Sequence, residues 1–248
     1  MRYIKRMLFA ILTILVLLFT AAVQAETPAD AAAFRTVENV VTFGHYEQDN
    51  NTENGPEAIE WIVLDYDEKE NKALLLSKYG LDAKAYNSKS SFHNTWESCA
   101  IRNWLNNEFL LSAFSAEEQA AVLTMAVDNS TSQGYWETEG GIDTQDQVFL
   151  LSYAEANRYL GVTREGNNTK ARVSPTAYAI AQGASVDKSY QTDDGEPAGW
   201  WWLRSPGGRL PDASNVSSDG LLDSDYTAND RGVVRPALWI NLESEIFK

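Results

Sequence analysis

Apolar and polar positions along this chain change period several times, and each change marks an element. Ile59-Glu60-Trp61-Ile62-Val63-Leu64 and Lys72-Ala73-Leu74-Leu75-Leu76-Ser77 are β-rich runs on either side of the polar stretch 67–71, which predicts a hairpin. A shorter run at residues 37–43 begins the folded part, and the polar stretch 49–56 reads as a loop. The middle of the chain reads as helical. Ser115-Ala116-Glu117-Glu118 and Ser152-Tyr153-Ala154-Glu155 are capping boxes, with Gly161 placed to end the second helix. Ser174-Pro175 is expected to open a third short helix ending at Gly183, and residues 101–111 read as a fourth. Residues 128–147, with Gly134-Tyr135-Trp136 and Gly140-Gly141, read as an exposed loop, and residues 190–198 as an acidic turn region.

The last fifty residues return to period two. Trp200, Trp202 and Arg204 fall on one strand face and Trp201 and Leu203 on the other. In the closing run, Val233, Arg235 and Trp239 oppose Val234, Leu238 and Ile240. An arginine on a mostly apolar face needs a carboxylate or carbonyl partner, because an unpaired buried charge is costly. Arg204 and Arg235 are therefore expected to hold the fold together, with an anion or ligand site as the alternative. Trp96, Trp104 and Trp202 are expected to be structural as well. Without a Pro- or Ser-rich linker or an internal repeat, residues 36–248 read as one α+β domain, its N-terminal strands rejoining C-terminal strands with helices between.

The ends and the charge restrict the setting. Arg2, Lys5 and Arg6 precede an apolar run from Met7 to about Val23, and Val23-Gln24-Ala25 is a small-residue cleavage signature, so residues 1–25 read as a secretory signal peptide. An uncleaved membrane anchor is the alternative, and residues 26–35 read as a flexible tether. The chain is expected to be secreted or extracellular. Its formal net charge is −15, and loss of three of its 20 basic residues with the leader leaves 17 against 35 acidic ones. So acidic a surface excludes nucleic acid as a partner. The single cysteine, Cys99, rules out an internal disulfide framework and is expected to be buried, in a helix between Trp96 and Trp104.

Catalytic signals are few. His45 and His93 are the only histidines and lack metal-ligand spacing; neither a nucleophile elbow nor a phosphate-binding glycine loop is present. No cofactor or resident metal is implied. The stretch 207–231 reads as a loop carrying Arg209, Asp212, Asp223, Asp225, Tyr226, Asn229 and Asp230, oxygen-rich residues that would suit a polar ligand or calcium. Arg209, Asp223, Asp225, Tyr226 and Asn229 are the candidate ligand residues, together with Trp136, whose ring would pack on a sugar.

Trp202-Leu203-Arg204-Ser205-Pro206-Gly207, followed by Ala213, Val216 and the run from Gly232 to Trp239, resembles the closing strands of C-type-lectin-like domains of the formylglycine-generating, sulfatase-modifying type. Trp61-Ile62-Val63-Leu64-Asp65, Thr95-Trp96-Glu97 and Ile101-Arg102-Asn103-Trp104-Leu105-Asn106 resemble the signature of an exported bacterial family known only as a domain of unknown function. The first resemblance implies a C-type-lectin-like mixed fold. It does not bring the enzyme's activity, since that family uses a pair of copper-binding cysteines and this chain has one cysteine. Three readings follow: a non-catalytic extracellular or envelope binding module for glycan, peptide or envelope protein, a structural envelope domain, and a carboxylate-dependent glycan hydrolase.

Overall fold

A computed structural model describes residues 30–87 and 95–248. The secretory segment read at 1–25, residues 26–29 of the tether, and His93 lie outside the described residues. The protein is a mixed α+β structure in which sheets outweigh helices, 33% of the described residues against 21%. Among the described residues no helix is long and apolar enough to cross a membrane.

The described part of the stretch read as a tether is structured. Ala33–Arg35 form a 3-10 turn that buries Phe34, whose ring meets that of Phe247 edge-on at 5.1 Å. The one aromatic side chain of that stretch gains too much from burial to be left in solvent.

Strands β1 (Val40–Tyr46), β2 (Glu57–Asp67) and β3 (Lys72–Ser77) form the expected antiparallel meander. In β2 the alternation is literal: Ile59, Trp61 and Val63 are fully buried while Glu60 and Ile62 are half-exposed. The β1–β2 register shifts around Gly44, which has φ +70° and lies so close to Phe114 that a Cβ would come within 2.5 Å of the ring. Glycine is required there. A two-residue strand, β4 (Asp82–Ala83), follows.

Helix α1 (Ala100–Trp104) runs through a π-turn (Leu105–Phe109) into α2 (Leu110–Ala113). Asn106, within the π-turn, turns its amide outward to accept from the Gln147 and Val148 backbone N–H groups and to donate to the Val148 carbonyl at 2.8 Å. Cys99 is buried, but it precedes α1 as its N-cap rather than sitting inside the helix. Both expected capping boxes form, on α3 (Ala116–Ala121) and on the later α4.

The stretch read as a loop over 128–147 contains a strand. β5 (Met125–Val127) pairs with β6 (Thr144–Asp146) because Asp146 is buried in a network that accepts from Trp96 Nε1 at 2.8 Å, Thr144 Oγ1 at 2.6 Å and Arg102 Nε at 2.6 Å. Short β7 (Val148–Phe149) leads into α4 (Tyr153–Leu160), which Gly161 ends at φ 69°. α5 (Ala177–Ala181) is capped by Thr176, not Ser174. Its hydroxyl accepts from Ala179 N, two residues beyond the expected cap. Residues 187–198 form a hairpin of β8 (Asp187–Gln191) and β9 (Pro197–Ala198).

The C-terminal third holds β10 (Trp201–Pro206), β11 (Asp212–Val216), β12 (Leu222–Tyr226), β13 (Val233–Val234) and β14 (Ala237–Asn241). The expected loop over 207–231 is thus mostly an antiparallel pair, β11 and β12; β11 is wholly buried, and its Asp212 accepts from Arg209 on Oδ2 while Oδ1 is buried without a partner. One sheet has the order β1-β2-β3-β14-β7 and the other β12-β11-β10-β13-β4. Trp61, Trp201 and Trp202 are fully buried, and each indole N–H donates to a carbonyl, of Phe43, Ala171 and Lys84 respectively. Arg235 lies where the chain passes from one sheet to the other, donating to the Ser77 carbonyl at 3.0 Å with its guanidinium 5.0 Å from the Trp201 ring centre. Pro236 follows it, and buried residues from both sheets belong to one apolar cluster.

Candidate functional site

Where β10 leaves its neighbour, a cleft opens. The β10–β11 register shifts between Trp202 and Pro206, and the Arg204 amide donates instead to the Leu151 carbonyl at 2.9 Å. That detour brings the Arg204 side chain to the first turn of α4. The resulting cleft, about 370 Å³, has Met125, Ala126 and Val127 of β5 on one side and Glu155, Arg158 and Tyr159 of α4 on the other. Buried Phe149 and half-buried Trp239 also line it, with exposed Asp128 and half-exposed Gln133 at its rim.

The floor is an ion pair. Arg204, 3% exposed, forks onto Glu155, with Nη1 on Oε2 and Nη2 on Oε1, and also donates to the Leu150 carbonyl at 2.9 Å and the Asp128 carbonyl at 3.2 Å. Glu155 Oε2 accepts as well from the Ser152 amide at 2.8 Å, as the second half of the capping box. Three donors thus engage this carboxylate, two on Oε2 and one on Oε1, and commit it to the helix cap and the ion pair. Arg204 Nε, by contrast, is buried without a partner.

The rim groups are held more loosely. Asp128 accepts from the Ser130 amide at 2.8 Å and Gln133 Nε2 at 3.0 Å. Hydrogen bonds from Ser130, side chain first and then amide, hold its carboxyl below the usual carboxylate range. Tyr159 donates to Asp65 Oδ2 at 2.8 Å, and Arg158 reaches the same oxygen at 3.2 Å. Burial, then the bond to Asp65, raises the Tyr159 hydroxyl well above an ordinary phenol. Aromatic walls with fixed donors and acceptors at the rim suit a polyhydroxylated ligand. They do not make an acid–base pair: Asp128 is held as the anion, Glu155 is engaged by Arg204 and Ser152, and general-acid work on a glycosidic bond needs a carboxyl that keeps its proton.

None of the ligand residues expected from the sequence lines this cleft. Arg209 pairs with Asp212 at 2.8 Å, Asn229 donates to Asp225 at 2.7 Å, and Asp223 and Asp225 turn back onto the amides of Ser224 and Tyr226 in their own strand. Tyr226 is 39% exposed at the end of that strand. Asp223, Asp225 and Tyr226 lie on β12 itself, with Arg209 before β11 and Asn229 after β12, away from the cleft lining. Trp136 lies on the backbone of Gly208, the residue before Arg209, where a Cβ would come 2.9 Å from its indole nitrogen. Of the residues expected to be structural, Arg204 floors the cleft, Arg235, Trp96 and Trp202 are buried, and Trp104 is half-buried beside Lys84, whose ammonium sits 4.4 Å from its ring centre. His45 is exposed on β1.

The cleft residues that sequence reasoning missed did leave a trace. Glu155, Arg158 and Tyr159 stand at i, i+3 and i+4, one face of a short helix, directly after a capping box. Asp128 and Trp239 left none, since only tertiary packing brings them to α4. A further group, Glu47, Asp49 and Glu57, has carboxylate oxygens within 4.8 Å of one another, but these already accept from the amides of Gln48, Asp49 and Asn51 in the same loop.

No curated protein matches the chain, and no solved structure does. Residues 70–242, which include the whole cleft apart from the supporting Asp65, match the family described as DUF6273, a domain of unknown function, and the chain belongs to that family.

Proposed function

We propose that this chain is a non-catalytic carbohydrate-binding module, exported from the cell, and that its ligand occupies the cleft between β5 and α4. The observation that carries the reading is the pairing of aromatic walls, Tyr159 and Trp239, with an ionised, solvent-facing Asp128 and the exposed guanidinium of Arg158. A sugar presents an apolar C–H face to rings and hydroxyls that both donate and accept, which matches that set. The floor pair contributes rigidity, since Glu155 and Arg204 fix each other through two hydrogen bonds. Export is inferred from the leader-like residues 1–25 and from an acidic chain with one cysteine. We also read the fold as C-type-lectin-like, on the ground that β14 rejoins β3 of the N-terminal meander while the helices lie between them in sequence.

The test is a screen of residues 26–248 against soluble glycans and cell-wall fragments, with each binding mixture analysed by mass spectrometry. The reading expects saturable binding without change in the glycan, and at least a tenfold loss on Asp128→Asn. Appearance of shortened glycans would overturn the non-catalytic part, and absence of binding to every carbohydrate would overturn the ligand class.

A further inference from the structure

The first turn of α4 also borders a second surface, which the cleft does not use. Tyr135, 47% exposed, packs edge-on against Trp136 with ring centres 5.4 Å apart and against Tyr153 at 5.5 Å. The shelf is rigid. Trp136 lies on the bare backbone of Gly208, and Thr138 Oγ1 ties the same loop to the Gly207 carbonyl at 2.9 Å. Over both rings sits Arg164, its guanidinium carbon 5.6 Å from the Tyr135 centre and 5.7 Å from that of Trp136. Arg158, Arg172, Arg204 and Arg209 all donate to a carboxylate, a side-chain amide oxygen or a carbonyl. Arg164, among the described residues, has only its ring contacts. Resting on two ring faces without a hydrogen-bonded partner, Arg164 keeps its fork of N–H donors for solvent or a ligand.

We infer that Tyr135, Trp136 and Arg164 form a second subsite that continues the cleft and takes an acidic sugar. The sugar ring lies against the exposed Tyr135 ring while its carboxylate accepts the Arg164 fork. The two subsites adjoin through the chain itself: Gln133 lines the cleft two residues before Tyr135, and Tyr153 precedes Ala154, another cleft residue. A ligand that fills both is an oligosaccharide rather than a single sugar. This inference rests on the carbohydrate reading of the cleft.

The experiment is calorimetry on residues 26–248 with tri- and pentagalacturonate, with cellotriose and cellopentaose as neutral counterparts and pentaglutamate as an acidic chain without sugar rings. Pentagalacturonate should bind at least tenfold more tightly than cellopentaose, and Arg164→Gln should bring that ratio close to one without moving the melting temperature. Tyr135→Ala should weaken pentagalacturonate more than trigalacturonate. Equal affinity of the acidic and neutral pentamers, or an unchanged ratio in Arg164→Gln, would overturn the second subsite while leaving the cleft reading in place. Pentaglutamate binding as well as pentagalacturonate would overturn the sugar assignment of the shelf. Binding of neither oligosaccharide series would overturn this inference, whereas the cleft reading falls only if every carbohydrate of the wider screen fails to bind.

Discussion

Replacing Arg204 by methionine keeps most of the side-chain volume and removes the fork on Glu155. Three losses follow: the pair itself, the bond to the Leu150 carbonyl, and the longer bond to the Asp128 carbonyl. Breaking a buried pair from one side costs about 3–5 kcal/mol, most of it from the stranded partner. Here the partner is only partly stranded. The Glu155 side chain is 29% exposed and keeps the Ser152 amide, so the lower end of that range applies even after the two carbonyls are counted, about 3 kcal/mol in all. For a protein of this size that corresponds to a fall in melting temperature of roughly 6–12 °C. Thermal and urea unfolding of Arg204→Met, Glu155→Gln and the double variant measure it. Glutamine still serves as the returning half of a capping box, so Glu155→Gln isolates the ion pair from the helix cap. The double variant should be less destabilised than the sum of the singles by about 1–3 kcal/mol. Additive losses, or an Arg204→Met melt equal to the parent's, would refute the claim that this pair fixes the cleft floor.

Arg235→Met should cost less than Arg204→Met in the same melts. Arg235 bonds carbonyls and an indole face, and burial alone pushes its guanidinium down to about 9, so methionine relieves a desolvation cost while it strands the Ser77 carbonyl. Cys99 should label slowly with thiol reagents in the native protein, because burial pushes its thiol up to about 12. Since that value lies above the unfolded 9.0, the native state keeps the proton longer; the associated stability is complete below pH 9 and is lost as pH rises toward 12. Cys99→Ala should lack this part of the alkaline slope in urea titrations. Gly220→Ala should lower stability by at least about 2 kcal/mol, since the position has φ +88° and a Cβ would stand 1.9 Å from the Asn168 carbonyl oxygen; a smaller loss in urea would mean that the 217–221 turn adapts.

Local chemistry was legible in the sequence and convergent chemistry was not. The β2–β3 hairpin follows from period two around a polar turn, and the boxes at Ser115 and Ser152 need only residues three apart, so both appear where the pattern puts them. β6 looks like loop because its Thr144 and Asp146 are polar. They are buried only because Trp96, Thr144 and Arg102 satisfy Asp146. Oxygen-rich residues near the C-terminus resembled a ligand loop, yet Asp223 and Asp225 bond their own strand's amides, which also blunts an edge that another strand would otherwise extend. The cleft depends on a break in β10 pairing that brings Arg204 to Glu155, 49 residues away in the chain, and no local pattern encodes that meeting.

Amide hydrogen exchange, with and without a saturating glycan taken from the binding screen, tests the location of the site most directly. The account predicts added protection in residues 125–133 and 153–159, the two walls of the cleft, and none in Leu222–Tyr226. Protection confined to Leu222–Tyr226, or unchanged exchange in both walls under saturating ligand, would contradict it.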